Sequence, residues 1–103
     1  MQQFDIVENV NPISRSRYPF LLVLQHDRIS AASTVIVAPL TESSPPLASS
    51  QLHPAIAVSD RHFLLITEEL AAVHRRSLGR TVTSAEAQRY HIIAAIDLCF
   101  TGV

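Results

Sequence analysis

At 103 residues the chain is long enough for one domain and too short for two, so residues 1–103 are read as a single unit. A net charge of −1 with histidines neutral argues against a protein whose task is to neutralise phosphates, and a single cysteine, Cys99, excludes an internal disulfide framework and fits a reducing cytoplasm. Hydrophobic residues make up 48% against 17% charged, more apolar surface than one small core consumes, and a homodimer is the expected sink for the remainder.

Met1 to Glu8 carries Asp5 and Glu8 where a secretory signal needs basic residues and then an apolar stretch, so nothing directs export. Phe4 to Val7 is a short strand candidate, and Asn9-Val10-Asn11-Pro12 is turn chemistry. Tyr18 to Gln25 reads as a second strand, apolar on both faces. Thr34 to Ala38 is β-branched and uninterrupted, which predicts a central strand closed by Pro39. Thr41 to Gln51 is loop-like, rich in Ser and Pro. Pro54 to Val58 and Phe63 to Thr67 form a hairpin pair around Ser59-Asp60-Arg61. A helical turn over Glu68 to Ala72 and an edge strand over Arg75 to Leu78, before Gly79, complete the β part.

The last twenty-one residues are expected to form one helix. Thr83 with Glu86 three residues on has the capping-box pattern, and Ala85, Ala87, Ala94 and Ala95 are strong helix formers. Between Ile92 and Phe100 Asp97 alone is strongly polar, so the far half is expected to be covered on more than one side. Chain ends are usually polar and frayed. An end composed of Phe100, Thr101, Gly102 and Val103 therefore points to a contact with the chain's own core or with a partner. The pattern as a whole predicts an α+β domain: a small barrel or strongly bent antiparallel sheet followed by a C-terminal helix. The apolar runs at Tyr18 to Leu24 and Ile92 to Ile96 fall short of the ~20 residues that span a bilayer, so no membrane role is expected.

The residues offer little catalytic chemistry. His26, His53, His62, His74 and His91 lack metal-ligand spacing, and no metal or other cofactor is expected. Two glycines cannot supply a nucleophile elbow or a phosphate loop. His74, Arg75 and Arg76 with Arg80 form the one basic cluster; it reads as a solvated edge strand or a docking site for an acidic peptide, and sequence-specific binding of nucleic acid by the chain alone is not expected. Asp27 and Arg28 are candidate acid–base or phosphate-handling groups for a ribonuclease, although such a pair is common in turns.

Met1-Gln-Gln-Phe, Ser16-Arg17-Tyr18-Pro19, Val23-Leu24-Gln25-His26-Asp27, Val37-Ala38-Pro39-Leu40, His53-Pro54 and above all Ala94 to Val103 resemble, in order and spacing, the CcdB toxins of bacterial toxin–antitoxin systems. The resemblance runs from end to end. It implies a homodimeric SH3-like barrel with a C-terminal helix, related in fold to the MazF and Kid ribonucleases but without their nuclease activity. It also implies a cytoplasmic, non-enzymatic poison that binds the DNA gyrase A subunit and traps the cleaved DNA–gyrase complex. The partner antitoxin, CcdA, removes the toxin from gyrase and represses the shared operon with it.

By the same resemblance the gyrase-contacting positions fall on Arg28, Ile29, Asp97, Phe100, Thr101, Gly102 and Val103; His74, Arg75, Arg76 and Arg80 are the candidate antitoxin contacts. The best-known members end in Trp-Gly-Ile, whereas this chain ends in Thr101-Gly102-Val103, and Arg28 stands where an aliphatic residue is usual. The alternatives are an endoribonuclease on the related barrel and a non-toxic relative that only binds its antitoxin.

Overall fold

The computed structural model describes residues 1–29, 33–43 and 48–103. Alternation of apolar side chains builds a sheet that is buried on both faces. In β1 (Asp5–Asn9) Ile6 packs to one side and Val7 to the other; β2 (Phe20–Val23) divides Leu22 and Val23 in the same way, and β3 (Thr34–Glu42) divides Ala38 and Val37. The larger cluster, which also holds Phe4, Leu40, Ile56, Phe63, Leu65 and Ile92, lies under the terminal helix. The smaller consists of Val7, Val23, Val35 and Val37, with Leu21, Val73 and Leu78 packed against it.

All pairings among the described residues are antiparallel. The strands lie in the order β4 (Ala55–Val58), β5 (Arg61–Leu65), β3, β2, β1, β7 (Leu78–Ser84), and β6 (Ala71–His74) pairs with β3. The long β3 is therefore central, as its β-branched run predicts: β2 lies along one edge, while β6 pairs with Thr34 to Val37 and β5 with Leu40 to Glu42 on the other. The curled sheet and the helix α1 (Arg89–Thr101) give the α+β half-barrel expected from the sequence. The β4–β5 hairpin turns at Ser59, whose φ of 58° lies in the left-handed region. Phe4 is left-handed as well, at φ 68°; its N–H reaches the Val23 carbonyl (2.7 Å) and its carbonyl accepts from Ala85 (2.8 Å), so backbone bonds on both sides hold the fully buried ring in the core.

Several sequence expectations are corrected. Pro39 does not close β3; the strand runs on to Glu42. The Pro39 carbonyl accepts from Ile66 (2.9 Å), which places the proline nitrogen on the same edge, at the gap between β6 and β5, where no ladder bond is lost. The turn expected over Glu68 to Ala72 is a 3-10 turn, Thr67–Glu69, and Ala71 and Ala72 already belong to β6. The edge strand expected over Arg75 to Leu78 is instead a 3-10 turn, Arg75–Ser77, followed by β7. Of the loop expected at Thr41 to Gln51, Ser43 and residues 48–51 are outside any helix or strand, Thr41 and Glu42 are strand, and residues 44–47 lie outside those described.

Gly79 lies within β7, and its lack of a side chain is what permits close pairing there. A Cβ at this position would stand 2.7 Å from the Glu8 Cβ and 2.9 Å from the Glu8 carbonyl oxygen. Backbone cannot yield as a flexible side chain does, so Gly79→Ala is expected to destabilise the protein by about 1–3 kcal/mol. The effect is measured as a lower urea midpoint, with faster amide exchange in β1 and β7 than in the β4–β5 hairpin.

Candidate functional site at the helix tip

The terminal helix begins later than its sequence suggests. Thr83 and Ser84 pair with Ile6 and Asp5 in the β1–β7 ladder, so Thr83 is not a cap; the Ser84 hydroxyl accepts from Glu86 N–H (3.1 Å), a 3-10 turn spans Glu86–Gln88, and α1 follows. Nor does the single chain cover the helix on several sides. Ile92 and Ala95 are buried, while Ile93, Ala94, Ile96, Leu98 and Cys99 are only half-buried.

The end of the helix is ordered without being covered. Gly102 adopts the left-handed conformation (φ 80°) and donates its N–H to the Leu98 carbonyl at 3.0 Å, the αL cap that glycine adopts without strain. One residue earlier the Thr101 hydroxyl donates to the Asp97 carbonyl (2.7 Å). With the backbone fixed in this way, Phe100 is 67% exposed and Val103 83% exposed, and Asp97, Thr101 and Gly102 are exposed too. The five helix-tip residues predicted from sequence thus form one outward-facing group.

Phe100 also edges an apolar groove of about 200 Å³ that it shares with Leu24, Gln25, Ile36, Leu70 and Ile96. Gln25 joins this groove to the other predicted segment: its side-chain N–H donates to the Ile29 carbonyl (2.7 Å), and its Oε1 accepts from the Ile36 N–H (3.2 Å). Arg28 and Ile29 sit on the 3-10 turn Asp27–Ile29, both exposed. Asp27 holds that turn to the N-terminus by accepting from Gln3 N–H (2.7 Å), and His26 Nδ1 accepts from Arg28 N–H (3.1 Å).

The predicted basic cluster divides. His74, Arg76 and Arg80 are exposed, with Arg80 standing 3.6 Å from Glu8. Arg75 is half-buried and structural: its guanidinium donates to the Ile29 carbonyl (3.1 Å), and its backbone N–H to Ser33 (3.1 Å). Through Ile29 the basic cluster and the exposed turn share a support. Sequence reasoning missed Gln25, Ile36 and Leu70. Ile36 in particular is hidden inside the β-branched run that predicts a buried strand, and folding leaves it 39% exposed.

Among the described residues, one histidine–carboxylate pair at short range lies elsewhere. His53 Nε2 and Glu68 Oε1 are 2.7 Å apart, beside the buried Thr67 hydroxyl, which donates to the Leu52 carbonyl (2.6 Å). Burial alone would raise the Glu68 pKa, but the backbone N–H it accepts from and the bond and charge of His53 together hold it below the ordinary 4.5. A carboxyl depressed on folding stabilises above its unfolded value, and that contribution is lost as pH falls through the folded one. Urea midpoints are therefore expected to fall less between pH 6 and pH 3 in Glu68→Gln than in the wild type. Among the described residues no group of three or more His, Cys, Asp or Glu is placed to hold a metal ion, and no helix is long and apolar enough to cross a membrane.

The fold is shared with solved toxins. A structure described as "Crystal structure of Mtb toxin" superposes with a TM-score of 0.72 at 16% identity, over 92% of this chain and 99% of that one. A mycobacterial endoribonuclease in complex with its cognate antitoxin gives 0.74 at 13% identity, over 96% and 93%. The Mycobacterium tuberculosis toxin MazF-mt6 gives 0.70 at 15% identity, over 96% of each chain. At these identities the likeness establishes the fold alone. No curated protein matches the chain significantly. The profile of the family described as "CcdB protein" matches residues 3–102, nearly the whole sequence and the helix tip as far as Gly102, and the chain belongs to the CcdB family.

Proposed function

We propose that the protein is the toxin of a type II toxin–antitoxin system, acting by binding the DNA gyrase A subunit and trapping the cleaved DNA–gyrase complex. The observation that carries this reading is the helix tip: a capped, ordered backbone that leaves Phe100 and Val103 in solvent. Fixing the last turn of a helix costs conformational entropy, and exposing large apolar groups gains nothing in the isolated chain. Both features suit a preformed contact, which binds without a further ordering cost.

A homodimer completes the arrangement. The half-buried side of α1 and the groove at Leu24, Ile36, Leu70 and Ile96 are surfaces that a second copy would cover, and a twofold axis near the tips would present two of them together to a symmetric target. Arg76 and Arg80, with His74 exposed beside them, supply positive charge for an acidic antitoxin segment, which neutralises the toxin and represses the operon with it. Arg75 serves that surface as its support.

The test is purified gyrase with supercoiled plasmid. Adding the protein is expected to produce linear DNA after denaturation of the enzyme, and none when gyrase is omitted. The endoribonuclease reading draws on neighbours that bear that description. Against it, one oxygen of the Asp27 carboxylate, Oδ1, accepts the Gln3 N–H and serves to hold the turn. RNA incubated with the protein alone is expected to remain intact; cleavage would establish the ribonuclease reading instead. Failure to arrest growth on induction, with antitoxin binding retained, would mark a non-toxic relative.

A further inference from the structure

On the face of the sheet that carries the smaller core, a second groove of about 220 Å³ opens between β6 and β7, away from the groove at the helix tip. Among the described residues β6 pairs only with β3 and β7 only with β1, so each borders it with an unpaired edge. Its apolar lining includes Leu21, Val37, Val73 and Leu78. At one end Tyr18 closes it, donating its hydroxyl to both carboxylate oxygens of Glu69 at 3.1 Å each. Glu69 is the single charged residue lining the groove. Arg17 stacks on the Tyr18 ring, its guanidinium carbon 5.1 Å from the centroid, and is not part of the lining.

Size and charge together define what fits. A volume of about 220 Å³ exceeds the ~150 Å³ cavity that takes benzene and falls short of the ~300–1,000 Å³ of pockets for drug-sized ligands. One long side chain is the right scale. Asn9, Asn11, Ser14 and Ser77 line the groove beside the apolar residues and are uncharged; a lone carboxylate next to apolar side chains repels phosphate and suits a group with a hydrocarbon stem and a cationic head, the amphipathic pattern of lysine and arginine. The two free strand edges suit a peptide in extended form.

We infer that this groove is a docking site for an extended peptide segment of a partner protein, with a lysine or arginine stem on Leu21, Val37, Val73 and Leu78 and its cation at Glu69. The site is independent of the helix tip and stands whether or not the tip engages gyrase.

The test uses the full chain, which contains no lysine, so carbodiimide coupling of an added amine to its carboxylates has no competing side-chain amine. The probes are the peptide acetyl-Val-Lys-Val-Thr-amide and its norleucine analogue. Amide shifts on addition of the lysine peptide are expected at Leu21, Val37, Val73 and Leu78, with affinity about threefold to fivefold above the norleucine peptide at low salt. Coupling is expected to place the lysine on Glu69. Glu69→Gln should remove the preference and the cross-link, while Phe100→Ala should leave both unchanged. Equal affinity for the two peptides, no binding of either, shifts confined to another surface, or a preference that survives Glu69→Gln would each overturn the proposal.

Discussion

Phe63→Ala is expected to lower the melting temperature by about 15–30 °C. Phe63 is fully buried at the junction of β5 with the larger core, and its ring meets Phe20 edge-to-face with centroids 5.3 Å apart. Arg61 packs on its other aspect, with the guanidinium carbon 5.0 Å from the ring centroid. Removing the ring forfeits its burial, leaves a cavity that rigid neighbours on three strands cannot close, and breaks the aromatic pair; together these cost about 3–5 kcal/mol. A small domain holds only ~5–15 kcal/mol in total. Thermal unfolding followed by circular dichroism checks the value. A shift of only a few degrees would show that Phe63 is not a keystone of the core.

Deleting Gly102 and Val103 is expected to weaken gyrase poisoning by at least about 30-fold, or ~2 kcal/mol, the scale of a binding hot spot. Val103 is exposed, a Cβ on Gly102 would meet nothing within 4 Å, and within the chain the deletion breaks the hydrogen bond that the Gly102 N–H donates to the Leu98 carbonyl. Stability should therefore change little. The pairing of a large functional loss with an unchanged melting temperature separates a binding role from a folding role. If truncation lowered both in proportion, the tip would be part of the fold and not a surface for a target.

How far the sequence can be read depends on whether local pattern and tertiary context agree. They agree at β3, where the β-branched run predicts a central strand: β2, β5 and β6 pair along its edges, and the two core clusters cover Ala38 and Leu40 on one face and Val35 and Val37 on the other. They agree again on the presence of the β4–β5 hairpin, although its second strand runs over Arg61–Leu65 and not Phe63 to Thr67. They part at Thr83: the capping-box spacing is present, but Ile6 and Asp5 in β1 offer Thr83 and Ser84 ladder bonds, and the strand wins. Pro39 and Gly79 mislead for the same reason. Each normally ends a strand, yet Pro39 falls where β3 changes partners and Gly79 where β7 must approach Glu8 closely.

The candidate site is legible in its tip and illegible in its support. The tip stands out because the apolar run from Ile92 to Phe100, in which Asp97 alone is strongly polar, is more than one core contact needs. Gln25, Ile36 and Leu70 carry no such mark, and only folding brings them beside Phe100. Arg75 looks in sequence like one more surface cation; its bond to the Ile29 carbonyl depends on the 3-10 turn at Arg75–Ser77, which no local pattern specifies.

The most direct measurement of the central claim is an amide map of isotope-labelled protein on addition of the dimerisation region of the gyrase A subunit. Signals from Arg28, Ile29, Asp97 and Phe100 to Val103 are expected to broaden or shift first, with the Ala55–Leu65 hairpin unaffected at the same ratio. A map centred on that hairpin, or one in which the helix tip does not respond at saturating gyrase fragment, would contradict the account.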